Sequence, residues 1–270
     1  MTFFEKSLNT LELPAVLEML ASQAVSAPAK EHCLQLQPST DRAEVGRRLT
    51  ETDDARKMMV LKGSPAFSGL TDIRPLLNRA ELGGTLSPAE LLSIAALLRS
   101  ARGTKAYFIE DNAGTTSLDS LFKALYENRY LENKIFDSIL SEDEIADNAS
   151  KELADIRRKI RAASSNAREA LQKILSSPSY AKYLQEPNIT MRSDRFVVPV
   201  KIEFKNAIQG LVHDVSASGM TVFIEPSAAV KANNELRELA AREKLEIERI
   251  LSALSAQMIM TGVVAFLRQG

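Results

Sequence analysis

The feature that most restricts the fold is an island of strand-like sequence at residues 189 to 226, ITMRSDRFVVPVKIEFKNAIQGLVHDVSASGMTVFIEP, in a chain that elsewhere reads as helix. Phe196, Val198, Val200, Ile202 and Phe204 recur with period two. That spacing places all five on one face of a strand and leaves a mixed, wetter second face. Pro199 cannot donate a ladder hydrogen bond, so the strand either lies at an edge or meets its neighbour through its other side. Turn chemistry at Lys205-Asn206 and Ser216-Ala217-Ser218-Gly219 separates this run from Ile208 to Val215 and from Met220 to Glu225. Three or four short antiparallel strands are expected.

Long helical patterns flank the island. After Ser141, which with Glu144 reads as a capping box, no Pro or Gly interrupts the chain to about Ser176. Leu153, Ile156, Ile160, Ala163, Ala167, Leu171 and Ile174 form a stripe at three- and four-residue spacing. Ser227 to Leu267 carries a matching stripe of Leu236, Leu239, Ile247, Ile250, Leu254 and Met258. Two such helices predict an antiparallel pair with the sheet at its tip, on arms about 50 Å long. The first 130 residues read as shorter helices, at Leu11 to Ala24, Ala29 to Leu36, Asp41 to Leu61, Asp72 to Ala80 and Leu118 to Glu127. Ser87-Pro88-Ala89-Glu90, a capping box with Pro at its first helical position, opens a further helix to about Ile109. The predicted class is mainly α with a small antiparallel β insertion. Its parts are a helical domain (1–130), an ascending helix (131–180), a β-rich segment (181–226) and a descending helix (227–270).

Composition narrows the function. A chain of 270 residues, 45% hydrophobic, supports one or two domains with a substantial core. A net charge of −1 exerts no global pull on nucleic acid or membrane, so any polyanion site has to be a local patch. The single cysteine, Cys33, excludes an internal disulfide and suits a reducing cytoplasm. The N-terminus lacks the basic and apolar regions of a signal peptide, and no stretch approaches the roughly 18 apolar residues of a membrane span. The apolar run Met258 to Leu267 reads as a buried helix end, and its unfinished face suggests a longer parent chain.

No catalytic constellation and no metal-ligand set appears in the sequence. Phosphate-loop and dinucleotide fingerprints are absent, and the two histidines, His32 and His213, are far apart. His213 precedes Asp214 in a predicted strand, where alternation sends adjacent side chains to opposite faces, so it reads as structural. Glu142-Asp143-Glu144 reads as a first helical turn complementing the helix dipole. Asp194 and Glu203 are placed to approach across the sheet without metal geometry.

The basic residues carry more information. From Lys151 to Lys173 there are seven Lys or Arg against three Asp or Glu, and Arg157, Arg161 and Arg168 share a helix face. Such a stripe is suited to a phosphate backbone, and equally to a solvated face paired with Glu152, Asp155 and Glu169. On the island, Arg192, Arg195, Lys201 and Lys205 are candidate phosphate contacts. Six basic against five acidic residues between Lys182 and Lys231 keep that patch almost neutral.

The run Arg195 to Lys201, the segment from Gly210 through His213-Asp214, Ser216, Ser218-Gly219, Thr221 and Phe223-Ile224-Glu225-Pro226, and then Asn233-Asn234-Glu235-Leu236 resemble the clamp segment of MutS-type proteins. The H-D-x-S-x-S-G-x-T-x-F-I-E-P form is closest to the second MutS subfamily, which lacks the mismatch-reading domain. Leu8-Asn9-Thr10-Leu11-Glu12 and the stretch from Gly69-Leu70-Thr71-Asp72-Ile73 to Leu86-Ser87-Pro88-Ala89-Glu90-Leu91 resemble that subfamily's start.

The resemblance implies a cytoplasmic, homodimeric ATPase in which core and lever helices carry a clamp. ATP, Mg and a C-terminal Smr endonuclease domain would belong to the parent beyond residue 270, leaving these residues non-catalytic. The implied partner is branched or duplex DNA, held so as to suppress homologous recombination. The rival is a stalled or collided ribosome, with the same bases facing rRNA. A scaffold that only dimerises is the third reading, and no membrane is implied.

Overall fold

In the computed structural model of the protein, residues 3–65, 67, 70–109 and 115–260 are described. Eight helices come first: α1 (Phe3–Thr10), α2 (Leu13–Gln23), α3 (Ala27–Leu34), α4 (Arg42–Lys62), α5 (Arg74–Glu81), α6 (Pro88–Ile109), α7 (Asp119–Lys123) and α8 (Arg129–Ser138). A hairpin of β1 (Ile139–Ser141) and β2 (Glu144–Ile145) leads to α9 (Lys151–Leu175) and α10 (Pro178–Ala181). Then follow β3 (Thr190–Arg192), β4 (Arg195–Lys201), β5 (Gly210–Val215), β6 (Thr221–Pro226) and α11 (Ser227–Met260). The class is mainly α with small antiparallel sheets; the four-stranded sheet is the insertion the sequence predicts, and the two-stranded sheet of β1 and β2 is additional to it. The chain forms two compact units, one of Met1–Ala146 with Leu251–Gly270 and one of Asp147–Ile250. The expectation for Met258 to Leu267 lies outside the described residues from position 261 onward.

In the first unit several helices begin at side-chain caps. Ser26 Oγ accepts from Ala29 N, and Asp41 Oδ1 from Ala43 N and Glu44 N. At α6 both halves of the capping box form, with Ser87 N donating to Glu90 Oε2 (2.8 Å) and Glu90 N to Ser87 Oγ (3.3 Å). Helix α6 packs against α8, burying Leu91, Ile94 and Ala95 on one and Leu131 and Ile135 on the other. Glu132, almost fully enclosed on α8, accepts two bonds of 2.8 Å from Arg102 and one of 3.2 Å from Arg99. The Arg102 bonds lower its pKa against the opposing effect of burial, with Arg99 assisting. Ser255 Oγ, on the last turns of α11, accepts from Leu86 N at 2.9 Å.

The region after residue 130 departs from one continuous helix. Asn128 caps α8, then Ile139 pairs with Ile145 across the β1–β2 hairpin, with Glu142 and Asp143 at its turn. Ser141 is therefore not a cap, and Glu142-Asp143-Glu144 is not a first helical turn. The hairpin buries Ile139 and Ile145 opposite one another, which a helix begun at Ser141 would not do. Ser150 is the cap of α9 instead, accepting from Leu153 N (3.0 Å) and donating to Glu246 Oε1 (2.6 Å). Helix α7 ends at Lys123, short of Glu127.

In the second unit α9 and α11 run antiparallel. Ser150 meets Glu246, Arg157 meets Glu243, and Ile156 and Ala163 pack with Leu239. The stripe on α9 is buried at Leu153, Ile156, Ala163, Ala167 and Leu171, matching its predicted period. Beyond Ala167 the same stripe meets a four-stranded antiparallel sheet of order β3-β4-β6-β5. Phe196, Val198, Val200, Val222 and Ile224 pack with Ala167, Leu171 and Ala229.

Strand β4 differs from its prediction in two respects. Val197 and Pro199 are buried as well, so the second face is not wet. Ile202 and Phe204 leave the strand in a 3-10 turn, because the ladder to β6 ends at Lys201 opposite Thr221. Phe204 instead packs beside Tyr183, ring centroids 5.1 Å apart. Pro199 obeys the second of the two options its missing N–H allows: β4 is an interior strand, and the Pro199 carbonyl faces away from β6 to accept from Gln185 N at 3.0 Å.

Candidate nucleic-acid interface

The polar residues of the β6–α11 corner converge on one carboxylate. β6 ends at Pro226 and the chain turns into α11, so Phe196 on β4 has no strand partner for the backbone groups that face that side. Asn233 of α11 supplies them: its Oδ1 accepts from Phe196 N (3.1 Å) and its Nδ2 donates to Phe196 O (3.0 Å). The same Nδ2 donates to Glu225 Oε1 at 2.8 Å, where Arg195 Nη1 arrives at 2.7 Å. His213 Nε2 contacts Glu225 Oε2, and Arg195 Nη2 reaches Asn234 Oδ1 at 2.8 Å. Glu225 and Asn233 are fully buried. Burial raises the Glu225 pKa, but the bonds from Asn233, His213 and Arg195 outweigh it and hold the carboxyl below the usual range.

This network is a joint between the sheet and α11. Both oxygens of this buried carboxylate are hydrogen-bonded within the protein, which fixes it in place as a structural group. His213 reaches it because β5 is irregular there: Val212 pairs with Ile224 and Asp214 with Phe223, so His213 is the extra residue of a bulge. Gly210, at the start of β5, lies so close to β6 that a Cβ would sit 2.1 Å from Glu225 O.

The bases singled out in the sequence divide into two groups. Arg195 is committed to Glu225 and Asn234, and Arg157 to Glu243 and Asp147, both at 2.6 Å. Arg161 also reaches Asp147, at 3.1 Å, so the two arginines share that carboxylate and lower its pKa. Arg168, next on the shared face, lies over the Phe196 ring at 5.1 Å and so stands at the sheet instead. Lys201, at the end of β4, reaches the Lys182 carbonyl (3.5 Å), and Lys205 is exposed in the following turn. Neither lysine has a carboxylate partner among the described residues. Arg192 lies over the Phe223 ring at 4.0 Å, with Nε 3.3 Å from Asp214 Oδ2.

Asp194 and Glu203 do not approach one another. Asp194 is in the β3–β4 turn, where Ser193 and Asp194 take φ of 49° and 60°, and Glu203 follows the opposite end of β4. Among the described residues no group of three or more His, Cys, Asp or Glu is arranged to hold a metal, and no helix is long and apolar enough to cross a membrane.

No protein-family profile matches the chain. It is 46% identical over 257 residues to the endonuclease MutS2 of Acetivibrio thermocellus, covering 94% of this chain and 32% of that protein. It is 46% identical over 253 residues to that of Ruminiclostridium cellulolyticum (93% and 32%), and 42% over 257 residues to that of Clostridioides difficile (94% and 32%). Identity of this degree over nearly all its residues makes the chain a member of the MutS family. Within that family it belongs to the second subfamily, MutS2. The chain spans about a third of the length of these relatives.

Proposed function

We propose that these residues are the non-catalytic core, lever and clamp of a MutS2-type protein, with α9 and α11 as the lever and the β3–β6 sheet as the clamp. In the homodimer the clamp closes on branched or duplex DNA and restrains homologous recombination. The observation that carries this reading is the contrast at the sheet: both carboxylate oxygens of its acidic corner are bonded within the protein, while Lys201 and Lys205 at the end of β4 have no carboxylate partner among the described residues. Lysines so placed contribute sequence-independent phosphate attraction, the kind that an enclosing clamp needs. The buried joint supports the mechanical half, since a rotation of α11 carries Asn233 and with it Phe196 and Glu225.

The relatives are named endonucleases, and nuclease and ATPase activities are proposed for the whole protein in the cytoplasm. The sequence of these 270 residues contains no G-x-x-x-x-G-K-[ST] phosphate loop.

The test uses the full-length protein with Lys201→Gln and Lys205→Gln. Arg195 is left intact, because its replacement would strip a partner from buried Glu225. Affinity for a four-way DNA junction at low salt is expected to fall by about tenfold or more; unchanged affinity would remove the DNA assignment. Co-sedimentation with ribosomes, lost on deletion of residues 189 to 226 while junction binding persists, would move the clamp to the ribosome.

A further inference from the structure

The face of β4 and β6 opposite the core carries a groove of about 260 Å³ that the phosphate reading does not use. Pro199 and Phe223 form its apolar floor, and the Arg192 guanidinium lies over the Phe223 ring, held by Asp214. Its rim carries Glu186 and offers uncharged donors and acceptors from Gln185, Asn188, Thr190, Ser216 and Thr221. We propose that this groove receives one unpaired nucleobase, stacked on the outer face of the Arg192 guanidinium; the proposal rests on the nucleic-acid reading above.

Three properties select that ligand class. First, the charge is wrong for a phosphate: Arg192 is already paired with Asp214, and Glu186 adds a carboxylate beside Asn188 (2.9 Å). Second, the volume is below the roughly 300–1,000 Å³ of sites for drug-sized ligands and suits a single flat group. Third, a planar guanidinium backed by an aromatic ring is a stacking platform, and unpaired bases are bound on such planes with their edges read by amides and hydroxyls. The Arg192 side chain remains 38% exposed, so a face is open to a second layer. Lys201 pairs with Thr221 at the groove's edge, where the sugar-phosphate chain of the same strand would pass. The clamp would then prefer nucleic acid with unpaired bases, as at branch points, over intact duplex.

The test measures binding of the full-length protein to labelled 12-nucleotide single strands of DNA and RNA, to a fully abasic strand of equal length, and to duplex. Base-bearing strands of either sugar are expected to bind more tightly than the abasic strand by about fivefold to about a hundredfold, the range for base stacking on a side chain. Arg192→Lys keeps the charge without the plane, and Phe223→Leu keeps an apolar floor without the ring. Each is expected to erase that preference while changing abasic and duplex affinity by less than about twofold, with an unaltered salt slope. Lys201→Gln should weaken all ligands alike and flatten the slope. Equal binding of base-bearing and abasic strands, or an Arg192→Lys loss equal for every ligand, overturns the groove assignment alone. Absence of binding to any of these nucleic acids overturns it together with the function proposed above.

Discussion

Replacing Asn233 with Ala removes three hydrogen bonds at once. Two of them satisfy the backbone N–H and C=O of buried Phe196, and the third goes to the Glu225 carboxylate. A buried backbone group left without a partner costs about 1–3 kcal/mol, and a bond to a charged group contributes about 1.5–3 kcal/mol. Partial relaxation and entry of water reduce the sum, so about 3–5 kcal/mol is expected. The adjacent Asn234 is an internal control, since it is exposed and makes one bond, to Arg195 Nη2. Asn234→Ala should cost about 0.5–1.5 kcal/mol. The assay is native-state hydrogen exchange at the Phe196 amide, whose acceptor is the Asn233 side chain, because a chain of two units has no single unfolding transition to fit. Asn233→Ala should lower protection on the order of a hundredfold or more, with neighbouring β4 and β6 amides following. Similar small losses in both variants would refute the argument that Asn233 stands in for a missing strand.

Gly210→Ala places a methyl group 2.1 Å from Glu225 O and 2.8 Å from Pro226 Cα, both backbone atoms that cannot swing aside. Exchange protection of β5 should collapse while that of α6 is unchanged. The pH dependence of the second unit follows from Glu225, whose folded pKa lies below the unfolded value of about 4.3. Its contribution is complete above pH 4.3 and is lost as pH falls through the folded pKa, so acid unfolding of this unit should lose that component in Glu225→Gln. In the first unit, Arg102→Ala leaves buried Glu132 with only Arg99 and should cost about 2 kcal/mol, read as lost protection along α8.

The strands and the two long helices are legible because their signals are local. Period-two and helical stripes, a proline whose missing N–H allows two placements, and glycine-rich turns all act within a few residues. The failures come from partners distant in the chain. Arg195 reads as a free base until it meets Glu225, 30 residues on, and Arg157 until it meets Glu243, 86 residues on. Glu225 and Asn233 are visible only within the family motif, and His213 reads as structural without its partner, since the three sit on three elements and alternation misassigns a residue at a bulge. Ser141 shows a different limit: a Ser followed three residues later by Glu suits a hairpin turn as well as a helix start, and the buried pairing of Ile139 with Ile145 decides between them. For Ile202 and Phe204 the period persists one turn past the end of the ladder.

The claim that the β4 end of the sheet contacts phosphate is tested most directly by the salt dependence of duplex affinity. Each neutralised phosphate contact contributes about 0.9 to the slope of log affinity against log salt. Lys201→Gln with Lys205→Gln in the full-length protein should lower that slope by about 1.8, and a slope equal to that of the unaltered protein would contradict the account.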